Sequence, residues 1–412
     1  MSNVFDTLQE RGFVRQVTDE EAVRCLVSEG PITCYIGFDP SADSLHVGNL
    51  VQIMALAHLQ RAGHRPIVVI GGGTMTIGDP SGKTEMRQML SPETISLHTQ
   101  KITAQLSRYL DFESGAALAV NNADWLLDLN YVDFLRDIGR HFSVNRMLAA
   151  EAYRARMETG LSFIEFNYQL LQAYDYLTLF RRYDCRLQMG GDDQWGNILA
   201  GVDLIRRVEG VTVEALTTPL LTTATGAKMG KTAEGAIWLD PEKFFPYDFY
   251  QYWINVDDRD VERFLACFTF LPMEEVRRLG RLKGADIRQA KEVLAYEATK
   301  ITHGESEAKK AQASARSLFG WGGKVGEKIE RVPATTITQD RLASGIHLID
   351  LLVEIGLAPS KSEARRLIRQ GGVYINGHPA ESSETVMTTG NVSSQGLLLR
   401  VGKKKYRRVV VE

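Results

Sequence analysis

Short apolar runs alternate with longer amphipathic stretches over residues 1 to about 225. ITCYIG (32–37) and RPIVVIGG (65–72) each read as a strand. Between them VGNLVQIMALAHLQRAG (47–63) reads as a helix closed by Gly63. Strand, helix and strand in succession form a βαβ unit, which implies a parallel sheet. CRLQMG (185–190) is a further strand, again followed by glycine and then a helical pattern. The pattern predicts a doubly wound α/β parallel sheet with its sites at the carboxyl ends of the strands. From about 240 to 318 the spacing turns helical, opening on the aromatic cluster FFPYDFYQYWIN (244–255). Residues 320–345 are rich in glycine and polar side chains and read as a linker. The expected organisation is a catalytic α/β domain (1–232), an α-helical domain (233–319), a linker (320–344) and a small α+β domain (345–412).

Charge sharpens that division. The 412 residues carry 48 Lys and Arg against 51 Asp and Glu, a net charge of −3. The last 68 residues hold ten Lys and Arg against six Asp and Glu, so they are at +4 and the rest at −7. A uniformly basic nucleic-acid coat is excluded, whereas a local basic module is expected. No apolar run approaches a membrane span, and the N-terminus MSNVFDTLQERGF lacks the pattern of a secretory signal. Cys25, Cys34, Cys185 and Cys267 do not fall at metal-ligand spacing. They are expected to be reduced thiols in a cytoplasmic protein, with no protein-bound metal.

Six segments carry candidate chemistry. In YIGFDPSADSLHVGN (35–49), a strand ends near Gly37 and His46-Val47-Gly48-Asn49 opens a helix, whose free N–H groups suit phosphate. A helix start with an incidental histidine would look the same. GGGTMTIGDPSGKTEMR (71–87) is not a P-loop, because the first glycine required before Gly82-Lys83-Thr84 falls on Ile77. What remains is a glycine-rich loop with Asp79, Lys83 and Arg87, functional or merely solvated. LSFIEFNYQLLQAYDYLTLF (161–180) starts with a Ser162/Glu165 capping box and places Tyr168, Gln172 and Asp175 on one face. A buried stripe of this kind needs either an internal hydrogen-bond network or a polar ligand. MGGDDQWGN (189–197) puts Asp193 where α/β folds hold a ribose, although Asp192 and Asp193 could instead cap the next helix. TTATGAKMGKTAEG (222–235) holds Lys228 and Lys231 in a weakly packed loop able to close over a triphosphate, or to stay solvated. PSKSEARRLIRQGGVYINGHPA (359–380) aligns Lys361, Arg365 and Arg369 on one face of a capped helix, and KKKYRR (403–408) adds cations, as in a phosphate-backbone reader or a solvated face.

Taken in this order, the segments resemble the bacterial-type tyrosyl-tRNA synthetases, a class I aminoacyl-tRNA synthetase family, over essentially the whole chain. HVGN (46–49) and KMGKT (228–232) match the two class signatures, and YIGFDPSADSLH, GDPSGK, FNYQLLQAYD and GGDDQWGN lie between and around them. The resemblance implies a Rossmann-like catalytic domain and a terminal RNA-binding fold shared with a ribosomal small-subunit protein. It implies that Tyr35 and Asp175 bind the phenolic hydroxyl of tyrosine, that Asp79, Tyr168 and Gln172 hold its ammonium group, and that Gln194 lies near its carboxylate. It assigns Asp39, His46, Gly48 and Asn49 to the ATP site and Asp193 to the ribose. Lys83, Arg87, Lys228, Lys231 and Thr232 are then expected at the pyrophosphate, with Mg²⁺ accompanying ATP. Partners implied are tRNA(Tyr), tyrosine, ATP and a second copy of the chain through YVDFLRDIGRHFSVNRML (131–148). Two other classes share parts of the pattern: a related adenylyl-transfer enzyme, such as a tryptophan-specific synthetase, and a non-catalytic RNA-binding protein. Asn49 departs from the family's second histidine, and Asp192 stands where serine is common.

Overall fold

The computed structural model describes residues 3–77, 90–149, 153, 157, 160–226, 229–232, 235–319, 334–393, 396–402 and 405–412. Its described residues divide into two compact units. The first comprises Met1–Lys243 and Asp257–Ala290, the second Phe244–Val256 and Lys291–Glu412. The segment 233–319 is therefore shared between the units.

Six strands organise the first unit: β1 (Gln16–Val17), β2 (Thr33–Phe38), β3 (Arg65–Ile70), β4 (Leu118–Asn121), β5 (Cys185–Gly191) and β6 (Glu214–Thr218). Their order is β1-β6-β5-β2-β3-β4, parallel throughout except for β1. Cys34, Ile36, Ile67, Val68 and Leu187 are buried, as expected of strands covered by helices on both faces. Helix α1 (Leu50–Arg61) connects β2 to β3, α2 (Phe163–Tyr183) leads into β5, and α3 (Trp195–Glu209) leads from β5 to β6.

The start of α2 is fixed locally. Ser162 Oγ accepts the Glu165 N–H, and Glu165 Oε2 accepts the Ser162 N–H, so two orphan donors are satisfied reciprocally. The chain runs β2, β3, β4 towards one edge and then places β5 on the opposite side of β2. The order reverses between β2 and β5, and in such sheets ligands bind in the crevice outside the carboxyl ends of the strands there. Asp39 follows β2 directly, and Asp192 to Gln194 follow β5 directly.

In the second unit a five-stranded sheet runs in the order His378–Pro379, Val373–Ile375, Leu397–Val401, Lys405–Val411, Ala334–Ile337. Leu348, Leu351, Leu352, Val373, Leu399 and Val409 fill its core. The linker boundary needs correction. Ala334–Ile337 pairs in parallel with Arg408 to Val411, and a helix follows at Gln339–Ala343. The β-branched run Thr335-Thr336-Ile337 makes a strand that the polar, glycine-rich composition of 320–345 conceals. Residues 320–333 lie outside the described residues. At the basic helix Lys361–Arg369 the cap is one-sided: Ser360 accepts from the Glu363 N–H, while Glu363 pairs with Arg366.

Within this unit Arg407, 1% exposed, is ion-paired to Asp248 in the first turn of the helix Pro246–Ile254. It donates to the Tyr406 carbonyl at 3.0 Å, and its guanidinium lies 4.4 Å from the Phe245 ring centroid. Removing one partner of a buried pair leaves the other charge uncompensated. Asp248 keeps some access to water, so Arg407→Met is expected to cost about 2–3 kcal/mol, below the range for a fully buried pair. Thermal melting and limited proteolysis check this, and a variant as resistant as the parent would show that the pair is not a structural tie.

Candidate active site

Tyr35 lies in the middle of β2 and is 2% exposed. Its ring packs against Tyr176 of α2, centroids 5.3 Å apart. Its hydroxyl has no hydrogen-bond partner among the described residues. Burial raises the phenol well above its ordinary pKa, and the nearby Asp175 adds to the rise. Asp175 of α2 is buried too and accepts two hydrogen bonds, from Asn122 Nδ2 at 2.9 Å and Trp125 Nε1 at 2.7 Å. Desolvation lifts its pKa to about 7, opposed by these two donors and reinforced by the charge of Asp39.

Tyr168, Gln172 and Asp175 share a face of α2, as their spacing requires. Tyr168 is buried, and Gln172 is half-buried with Oε1 unpartnered among the described residues. Gln188 of β5, in register with Tyr35, also has a buried Oε1 without a partner there. Buried polar atoms are normally satisfied, so the Tyr35 hydroxyl and these two amide oxygens suit a ligand with donors of its own.

Sequence reasoning missed Asn122, Trp125 and Gln188. Asn122 ties the site together: Oδ1 accepts from the Gly73 N–H at 2.8 Å, and Nδ2 donates to Thr74 Oγ1 and to Asp175. The Gly71–Gly73 loop is thereby fixed to the same carboxylate. A Cβ on Gly71 would fall 2.6 Å from Asp39 Oδ1, and one on Gly72 would fall 2.4 Å from Asn121 Oδ1, so a side chain at either position would displace Asp39 or Asn121. The only sequence signal was the dipeptide Asn121-Asn122 beside Trp125 after an apolar strand, with nothing to link it to Asp175.

The first signature forms a capped turn. His46 caps the 3-10 turn Val47–Asn49, its Nδ1 accepting the Gly48 N–H at 3.0 Å. That bond fixes the neutral tautomer with its hydrogen on Nε2, a donor. Asn49 Oδ1 accepts the His46 N–H at 3.1 Å. The acceptor half of the amide is therefore committed to the turn, and the donor half is the one able to serve a phosphate.

The second signature lies against the first. A Cβ on Gly48 would meet the His46 ring at 2.7 Å and the Met229 carbonyl at 3.2 Å. One on Gly230, where φ is 85°, would meet the Gly48 nitrogen at 2.7 Å. The Val47 N–H donates to the Ile237 carbonyl, the Ile237 N–H to the Gly230 carbonyl and the Leu239 N–H to the Leu45 carbonyl. Lys231–Thr232 forms a short ladder with Gly235–Ala236. The side chains of Lys231 and Thr232, and all of Asp79, Lys83, Arg87 and Lys228, lie outside the described residues.

After β5, Asp193 is exposed, and a Cβ on Gly191 would fall 2.6 Å from its Oδ1. Gln194 Oε1 accepts from Asn197 Nδ2 at 3.1 Å. The Asp192 carboxylate accepts from Gln16 Nε2 and Thr217 Oγ1. In the second unit Lys361, Arg365 and Arg369 are all exposed on one helix, with Lys361 paired to Asp350 at 2.9 Å.

Residues 27–320 match the model of the class I tRNA synthetases for tryptophan and tyrosine, and residues 325–409 match that of the tyrosine–tRNA ligase SYY-like C-terminal domain. The chain belongs to the class I tyrosyl-tRNA synthetases. It is 56% identical to the tyrosine–tRNA ligase of Caldanaerobacter subterraneus subsp. tengcongensis over 410 residues, and 54% identical to that of Clostridium tetani over 411, in each case across 100% of both chains. Among solved structures it is similar to a C-terminally truncated mitochondrial tyrosyl-tRNA synthetase of Aspergillus nidulans. The TM-score is 0.70 at 30% identity, covering 77% of this chain and 95% of that one. Members of this family are ligases that form aminoacyl-tRNA with ATP, and this chain is an enzyme of that kind. The fold is that of its class, an α/β domain with a parallel sheet followed by the terminal domain. Among the described residues no helix is long and apolar enough to cross a membrane.

Proposed function

We propose that the enzyme activates tyrosine with ATP and transfers it to tRNA(Tyr) in two steps. The tyrosine carboxylate attacks the α-phosphate of ATP in line, giving tyrosyl-adenylate and pyrophosphate. A ribose hydroxyl of the terminal adenosine of tRNA then attacks the adenylate carbonyl, and AMP leaves. No protein nucleophile is required, so catalysis rests on positioning and on stabilising charge that develops on the phosphates. The observation that carries the reading is the pairing of a buried tyrosine hydroxyl, Tyr35, with a buried carboxylate, Asp175, on facing elements of the sheet and α2.

In this reading Tyr35 and Asp175 bind the substrate hydroxyl, while Tyr168, Gln172 and Asp79 hold the ammonium group and Gln194 the carboxylate. Asp39, the His46–Asn49 turn and Asp193 hold the nucleotide. Lys83, Arg87, Lys228, Lys231 and Thr232 clamp the leaving pyrophosphate. Mg²⁺ arrives as part of the ATP complex. Among the described residues no cluster of three or more His, Cys, Asp or Glu is arranged to hold a metal of its own. The four domain spans set out from the sequence remain part of this proposal, with the terminal domain opening at the strand Ala334–Ile337 rather than at 345. The exposed face of Lys361, Arg365 and Arg369 grips the tRNA backbone, and the protein works in the cytoplasm. Charging of tRNA(Tyr) with labelled tyrosine in the presence of ATP tests the whole; a chain that binds the tRNA but charges nothing would contradict it.

We also propose a homodimer. Val132 is 70% exposed and Phe163 68%, and Leu127, Tyr131 and Val144 are exposed as well. Leu199, also exposed, lines a cleft of about 290 Å³ with His141, Ser143, Arg146 and Asp203. So many large apolar side chains in contact with water suit an interface. Val132→Asp together with Phe163→Asp is expected to convert the dimer to a monomer in sedimentation; an unchanged dimer would mean that another surface joins the copies.

A further inference from the structure

We infer that Asp192 is a positioning residue: it fastens the turn carrying Asp193 and Gln194 to the edge of the sheet, while Arg15 offsets its charge beside the nucleotide. The inference rests on the reading of Asp193 as the ribose acid.

The 3-10 turn Asp192–Gln194 begins where β5 ends, so its direction depends on what holds its first residue. Asp192 Oδ1 accepts two hydrogen bonds, from Gln16 Nε2 at 2.7 Å and from Thr217 Oγ1 at 3.0 Å. Gln16 belongs to the two-residue edge strand β1 and is paired with Thr217 of β6. Its backbone N–H donates to Thr217 Oγ1 at 3.1 Å, which leaves the single hydroxyl hydrogen of Thr217 for Asp192. Two strands, β1 and β6, thus meet the turn at one carboxylate oxygen. The other oxygen lies 3.7 Å from Arg15 Nε.

Both hydrogen bonds to the Asp192 carboxylate come from side chains of the sheet's strands. Its side chain serves the sheet. Asp193 is the next residue of the same three-residue turn. In so short a turn, a shift of the backbone at residue 192 moves residue 193 with it. Without a cation nearby, a second carboxylate here would repel a triphosphate. Arg15 is largely exposed, so its compensation weakens with salt.

The test measures KM for ATP and for tyrosine separately, by pyrophosphate exchange. Asp192→Ala is expected to raise KM for ATP about tenfold, the effect of losing hydrogen bonds to a charged acceptor, and to raise KM for tyrosine by no more than about threefold, because Gln194 in the same turn keeps its own hydrogen bond from Asn197. Asp192→Asn keeps an oxygen for Gln16 and Thr217 and is expected to restore most of the ATP KM. Thr217→Val keeps Asp192 and removes one donor, so it is expected to raise the same KM about threefold, which tests the link should Asp192→Ala fold poorly. Equal rises in both KM values, or an Asp192→Asn variant as impaired as Asp192→Ala, would overturn the inference. Asp193→Ala separates the two levels. If it raises KM for ATP and the Asp192 and Thr217 variants do not, the positioning role alone fails. If Asp193→Ala leaves KM for ATP unchanged, the ribose reading fails and takes the positioning role with it.

Discussion

Asp175→Ala is expected to lower the preference for tyrosine over phenylalanine, measured as the ratio of kcat/KM values, by about 100-fold or more. A hydrogen bond to a buried charged group is worth roughly 3 kcal/mol, and 1.4 kcal/mol is a factor of ten. On the proposed reading, phenylalanine in the parent enzyme leaves the Tyr35 hydroxyl and the Asp175 carboxylate without the partner they would share. Both are buried, so the cost falls on the wrong substrate; tyrosyl-tRNA synthetase is itself the standard instance of this rule. The alanine variant removes that cost for phenylalanine and the bond for tyrosine. Asn122 and Trp125 lose their acceptor too, so some of the lost rate reflects a loosened loop.

The same residue sets a pH dependence. Burial raises the pKa of Asp175 from the ordinary carboxylate range to about 7, so in the free enzyme the acceptor is lost as pH falls through that value. kcat/KM for tyrosine reports the free enzyme and is expected to decline below pH 7. The linked effect on stability has the opposite sign. The folded chain retains a proton on Asp175 that the unfolded chain has released, so the free enzyme loses stability as pH rises between about 4 and 7. A kcat/KM profile for tyrosine that is flat from pH 6 to 8 would mean that Asp175 does not bind the substrate hydroxyl.

Gly48→Ala is expected to depress adenylate formation by about 10²–10³-fold, the usual effect of disturbing one charge-stabilising donor, and to leave tyrosine affinity within about twofold. The new methyl group would meet the His46 ring at 2.7 Å and the Met229 carbonyl at 3.2 Å. Either the histidine turns and loses its cap on the Gly48 N–H, or the Gly230 loop backs away from the turn. Both outcomes separate the two signatures, while Tyr35 and Asp175 belong to other elements. Single-turnover formation of the adenylate, set beside equilibrium binding of tyrosine, distinguishes this from general unfolding. Loss of both in step would contradict it.

What the sequence made legible was what neighbouring residues decide. The apolar runs at 33–38 and 65–70 form strands because their length and β-branching allow little else. The Ser162/Glu165 box starts α2 because both partners lie within one turn, and the i, i+4, i+7 spacing brings Tyr168, Gln172 and Asp175 to one face. What escaped depends on pairing across the fold. Asn122 and Trp125 reach Asp175 over a separation of 53 and 50 residues, and no pattern at either end announces it. Residues 334–337 look like linker because a strand of four gains its stability from Arg408 to Val411, more than seventy residues later. Asp192, which in the sequence stands only where serine is common, is held by Gln16 and Thr217, both distant in the chain.

The central claim is that this site selects tyrosine and activates it as an adenylate without tRNA. Exchange of labelled pyrophosphate into ATP, with tyrosine, phenylalanine or tryptophan as the only amino acid, tests that most directly. The expected result is rapid exchange with tyrosine, at least a hundredfold above either control at equal concentration. Exchange that is absent with tyrosine, or as fast with phenylalanine or tryptophan, would contradict the account of Tyr35 and Asp175 at its root.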